Sequence, residues 1–156
     1  MPALTSNPPF SSREADPGSD PGGRKLESEA FMTNTDPPYH AHIYYEAAER
    51  PAAVALRDAF GEDSAILFVG ALTDGPAGPH PIAQYEVHFL ASHRAAVVAA
   101  IEATGLRALV HPLTDDDLAD HTSLAHWIGE PVELDVTVLD PPGVNQGIPR
   151  FGISDF

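Results

Sequence analysis

The chain has 156 residues, a formal net charge of −15, 23 acidic against 8 basic side chains, and no cysteine. So acidic a balance argues against nucleic acid and anionic membranes as partners, because both need clustered cations, and it favours solubility. Without cysteine there is no disulfide, no thiolate metal site and no cysteine nucleophile.

Residues 1–38 are rich in Pro, Ser, Gly, Asp and Glu and poor in aliphatics, and they hold the only lysine, Lys25. Such a segment buries too little apolar surface to offset its ordering entropy, so a disordered N-terminal tail is expected. No apolar run approaches the roughly 18 residues that cross a bilayer. The start lacks a basic stretch followed by an apolar one, so no secretory signal is expected and the cytoplasm is the default location.

A domain is expected over residues 39–140. Tyr39 to Tyr45 alternates like a strand. Pro51 suits the first turn of a helix whose apolar stripe is Ala53, Leu56 and Phe60, with Gly61 at its end. Ala65 to Val69 is a continuous apolar run consistent with a buried strand. After a Pro- and Gly-rich loop from Leu72 to Pro81, Gln84 to Leu90 forms the third strand. Its Tyr85, Val87 and Phe89 face one side, and Gln84, Glu86 and His88 the other. Ser92 is placed to cap a second helix carrying Val98 and Ile101, which Gly105 stops. Leu106 to His111 is the fourth strand. This order, βαββαβ, predicts an α+β, ferredoxin-like antiparallel sheet with both helices on one face. Its first strand then lies centrally, between the third and the fourth.

The extension is expected to hold a helix and a strand. Thr114 with Asp117 resembles a capping box, and the neighbouring aspartates suit a solvated helix start. Leu118, His121, Ala125 and Ile128 recur at helical spacing, and Gly129 and Pro131 close the helix. Val132 to Leu139 alternates as a further strand. Residues 141–156 are Gly- and Pro-rich and read as irregular.

Eight histidines are the main chemical signal. His40 and His42 share the strand face opposite Ile43, away from the helices. His111, at the end of an antiparallel neighbour, falls beside them, and Glu86 and His88 project from the same sheet face. Imidazoles with a carboxylate make a site for Fe(II) with open positions, or for catalytic zinc. His40, His42, His111 and Glu86 are the candidate metal ligands. His121, on the inward stripe of its helix, and His80, between two prolines, are the candidate acid–base residues. His93 and His126 read as exposed helix residues, and Trp127 as core or interface.

The stretches Tyr39-His-Ala-His-Ile-Tyr-Tyr45, Gly78-Pro-His-Pro81 running into Tyr85-Glu-Val87, and Val110-His-Pro-Leu-Thr114 with Asp116-Asp-Leu-Ala-Asp-His-Thr122 resemble the DOPA 4,5-dioxygenase family of extradiol ring-cleaving enzymes. Trp127-Ile-Gly-Glu-Pro131 with Leu134-Asp135 adds to the likeness. The resemblance implies a ferredoxin-like fold, non-haem Fe(II), and O2 with a small catechol-type aromatic substrate such as DOPA. Two other classes stay open: a non-catalytic small-molecule-binding module on the same fold, and a zinc-dependent hydrolase using the same ligands. Because the helices cover only one sheet face, a homodimer is expected to cover the other.

Overall fold

The structure is a computed structural model and describes residues 36–141, 144 and 151–153. Eight regular elements follow in order: β1 (Pro38–Tyr44), α1 (Arg50–Gly61), β2 (Phe68–Val69), β3 (Gln84–Leu90), α2 (Arg94–Glu102), β4 (Ala108–Pro112), α3 (Asp117–His121) and β5 (His126–Ile128). The strands form one sheet in the order β2-β3-β1-β4-β5, with every neighbouring pair antiparallel. The fold is α+β, and its first four strands have the ferredoxin-like order, with β1 central.

Period-two alternation gives the sheet two unlike faces. Ala41, Ile43, Tyr85, Val87, Phe89, Ala108 and Val110 pack with Ala53, Leu56 and Phe60 of α1 and Val97 and Ile101 of α2 into one buried apolar cluster. Pro51 sits at the first helical positions of α1, as expected of a residue without an amide hydrogen. Past α2 the chain turns at Gly105, whose φ of +75° is open to glycine at no steric cost.

Several sequence expectations are corrected. The apolar run from Ala65 to Val69 yields only the two-residue β2, because it lies at the sheet edge: Leu67 is 52 % exposed, while Ile66 and Val69 touch the core. Ser92 caps nothing. Its amide and hydroxyl both donate to the carboxylate of Asp36, each at 2.7 Å, and the buried pair on α2 is Val97 and Ile101, with Val98 half-buried. Asp36, Pro37 and Pro38, expected to be part of the 1–38 tail, thus belong to the folded unit, whereas residues 1–35 of that tail lie outside the described residues.

The helix expected from Asp117 to Ile128 stops at His121. His126 to Ile128 instead pair with β4, hydrogen bonding a strand that would otherwise be a sheet edge. Leu118 is consequently exposed, and His126 is exposed on a strand. The helix cap is Asp116, which accepts from Ala119 N, while Thr114 bonds the carboxylate of Asp120 through its amide (3.0 Å) and hydroxyl (2.6 Å). Asp120 is fully buried and not part of a solvated run. Val132 to Leu139 forms no strand. It holds a 3-10 turn, Val136–Val138, begun by Asp135.

The second sheet face is covered within one chain. The loop carrying His80, helix α3 and residues 151–152 lie over it, and its histidines and Glu86 are nearly inaccessible. The homodimer was expected to cover this face, and the chain's own segments bury its histidines and Glu86. Among the described residues no helix is long and apolar enough to cross a membrane.

Candidate metal centre

Six imidazoles, those of His40, His42, His80, His88, His111 and His121, gather on or over the sheet face opposite the helices, each at most 8 % exposed. Strand register does most of the placing. His40 stands opposite His88 on β3 and His111 on β4, and His42 stands opposite Glu86. His80 arrives from the loop, where its backbone exchanges two hydrogen bonds with Ala77 and Pro79 O accepts from Asp135 N. His121 is the last residue of α3.

Three overlapping trios have their ligand atoms within 4.8 Å of one another: His40–His42–His111, His42–His80–His121 and His40–Glu86–His88. The structure therefore brings together the three histidines predicted as ligands. Glu86, predicted to join them, turns its carboxylate to His88 Nε2 (3.4 Å) and His40 Nδ1 (3.9 Å).

Hydrogen-bond partners fix most of the tautomers. His42 Nδ1 donates to Gln84 Oε1 (3.1 Å), His111 Nδ1 to the Pro112 carbonyl (2.7 Å) and His121 Nδ1 to the Asp117 carbonyl (2.8 Å). Each neutral ring then carries its lone pair on Nε2. His42 Nε2 and His111 Nε2 face each other at 3.0 Å, lone pair against lone pair. Two ligands about 2.1 Å from one ion and at right angles stand about 3.0 Å apart, so a shared cation resolves this contact. Tying off the second nitrogen with a carbonyl or amide oxygen is also how ligating histidines are usually oriented. His88 is the opposite case. Its Nδ1 accepts from Gly152 N (2.9 Å), so its proton sits on Nε2, facing Glu86, and the ring has no lone pair left to offer.

Electrostatics agree with neutral imidazoles. Burial, and then the neighbouring His80, His111, His121 and His40, hold His42 well below the ordinary histidine pKa. Burial first and His121 second bring His80 down to about 3. Neither oxygen of the buried Glu86 carboxylate has a hydrogen-bond partner among the described residues. A buried carboxylate left so is costly unless positive charge is near.

A sequence profile of the Dopa 4,5-dioxygenase family matches residues 39–138, which hold all these side chains. The chain belongs to the Dopa 4,5-dioxygenase family. Within it, a DOPA 4,5-dioxygenase of Amanita muscaria is 36 % identical over 111 residues, 65 % of this chain but 49 % of that protein. The chain thus spans about half the length of that relative. An uncharacterised 21.2 kDa protein of Botryotinia fuckeliana is 26 % identical over 134 residues, 73 % of each chain. A crystal structure of a proposed dioxygenase from Nostoc punctiforme superposes with a TM-score of 0.62 at 34 % identity, covering 66 % of this chain and 90 % of that one.

For this family member the facing Nε2 pair and the buried Glu86 carboxylate are donors of the kind a metal ion takes. Three further residues were not among the predicted ligands or acid–base residues. Gln84 orients His42, Tyr44 holds His80 through a 2.6 Å contact to Nδ1, and His88 stacks on His40 with centroids 3.7 Å apart. Alternation was the available signal, since Tyr44 follows His42 by two residues and Gln84 and His88 flank Glu86 by two. A surface cleft lined by Tyr45, Arg50, Asp74 and Ile82 contains none of the histidines.

Proposed function

We propose that the chain is an extradiol dioxygenase, opening a catechol-type ring of DOPA-like substrates with O2 at an Fe(II) centre. His40, His42 and His111 would hold the metal. The facing Nε2 atoms of His42 and His111 carry this reading, since two buried lone pairs at 3.0 Å call for a cation between them. Fe(II), when bound, supplies Lewis acidity for a catecholate and the redox chemistry that O2 requires.

The chain's own residues supply the rest. His121, with Nδ1 donating to the Asp117 carbonyl, offers Nε2 as the base for a catechol hydroxyl proton. At 8 % exposure it is the most accessible of the six imidazoles, so it stands nearest the solvent side of the cluster. His40, His42, His80 and His111 are at most 2 % exposed, which keeps bulk water from the ligand nitrogens and strengthens every polar contact there. Gln84 and the Pro112 carbonyl hold two ligand rings in orientation before substrate arrives.

The test is anaerobic loading with Fe(II), followed by a panel of catechols with oxygen uptake and ultraviolet–visible absorbance recorded together. One oxygen consumed per catechol, with the absorbance of a ring-opened semialdehyde, is the expected result. Catechol binding without oxygen uptake would favour a binding module, and oxygen-independent hydrolysis by the zinc-loaded form would favour a hydrolase. Either outcome would replace the dioxygenase reading.

A further inference from the structure

His80 and His121 both approach His42, with a ring nitrogen of each within 4.8 Å of the other and of His42, so proximity alone assigns them the same role. Their hydrogen bonds do not. His121 Nδ1 donates to a backbone carbonyl, leaving Nε2 as an acceptor. His80 Nδ1 instead meets the hydroxyl of Tyr44 at 2.6 Å.

Tyr44 lies two residues beyond His42 on β1 and so on the same sheet face. Its side chain is fully buried, with the Trp127 ring stacked on it at 6.0 Å and 21°. A buried phenol needs an acceptor for its hydrogen, and among the described residues the partner of this hydroxyl is His80 Nδ1. The O–H therefore donates and Nδ1 accepts. The neutral His80 ring must then carry its own proton on Nε2, on the side of the ring away from Tyr44. The backbone is fixed by the paired hydrogen bonds to Ala77 and by the flanking prolines, and the hydroxyl is a side-chain bond that orients the ring.

We infer that Tyr44 is a positioning residue: its hydroxyl holds His80 in the Nε2–H tautomer, which makes His80 a hydrogen-bond donor to an anionic oxygen at the centre and not a metal ligand. His121 is the acceptor of the pair. The division of labour gives the cluster one imidazole that removes a proton and one that stabilises negative charge. The consequence for turnover rests on the proposed dioxygenase reading; the tautomer itself does not.

Imidazole 15N NMR of the metal-free protein tests it, with His80 assigned by its loss in His80→Gln. The expected spectrum shows His80 protonated at Nε2. Tyr44→Phe, which keeps the ring against Trp127, should move it toward the mixture of both tautomers. Zinc titration should shift the Nε2 signals of His42 and His111 and leave that of His80 protonated. An Nδ1–H tautomer in the wild type, or loss of the His80 Nε2 proton on zinc binding, would overturn the assignment. In the iron-loaded enzyme, Tyr44→Phe should lower kcat by about 10- to 100-fold with KM and iron stoichiometry nearly unchanged. The same substitution should have no further effect in the His80→Gln background. An equal loss in both backgrounds would show that Tyr44 does not act through His80. Failure of every catechol to turn over would count against the dioxygenase reading alone, because the NMR result stands without it.

Discussion

The two faces of the sheet are made of alternate residues on the same strands, yet they solve opposite problems. Toward the helices, Ile43, Tyr85, Phe89 and Val110 are buried against α1 and α2 in an apolar cluster. Fully burying such a side chain contributes about 1.5–3 kcal/mol. On the other face, one residue along each strand, stand His40, His42, Glu86, His88 and His111, equally buried but polar. Burial there costs desolvation and is offset only where a partner exists. The helix face therefore stabilises, whereas the histidine face is held in place by it and spends stability on a site.

The comparison can be broken most sharply at the ligands. In His42→Ala with His111→Ala, iron stoichiometry should fall from one per chain to none, while the metal-free melting temperature stays near the wild-type value or rises. Retained iron in the double variant would sink the proposed centre. Phe89→Ala is the converse. It should cost about 3–5 kcal/mol in urea unfolding, as truncation of a buried aromatic does, yet leave the folded fraction binding iron normally. Loss of iron at full folding would mean that the two faces are coupled more tightly than alternation suggests.

Between pH 7 and 5, acid should act on the histidine face. The folded-state pKa of His42 is held well below the ordinary value, and that of His80 lies at about 3. The unfolded chain therefore binds more protons than the folded one below about pH 6.5. The stability these groups contribute is present above that pH and is lost as pH falls toward the folded values. The metal-free melting temperature should drop between pH 7 and 5, and a flat profile would show that these imidazoles are not held neutral. The smallest expected effect is at the edge of the helix face. Asp36→Ala removes both bonds to Ser92, and a slight fall in melting temperature with unchanged iron binding is the outcome to look for by calorimetry.

Local pattern reached far in this chain. The first and third strands, the helix from Arg50 to Gly61 and the sharing of one face by His40, His42, Glu86 and His88 follow from alternation, Pro at a helix start and helical spacing, all properties of neighbouring residues. Alternation also placed Tyr44 and Gln84 on the site face, although a tyrosine and a glutamine on a strand carry no chemical signal of their own. The failures share a cause. Leu118, His121, Ala125 and Ile128 keep helical spacing, but the open edge of β4 takes His126–Ile128 as a strand. Val132 to Leu139 alternates without finding a neighbour to pair with.

The sequence by itself determined the sheet's two-faced chemistry, because side-chain direction along a strand depends only on parity. Register and packing decided the rest. They turned Glu86 toward His88 and His40, drew His80 and His121 from distant segments, and buried the site within one chain. They also chose, through Gln84 and Tyr44, which nitrogen of His42 and of His80 faces inward. Such choices depend on partners far apart in the chain, 42 residues for His42 with Gln84 and 36 for Tyr44 with His80, and no local pattern encodes a hydrogen bond at that separation.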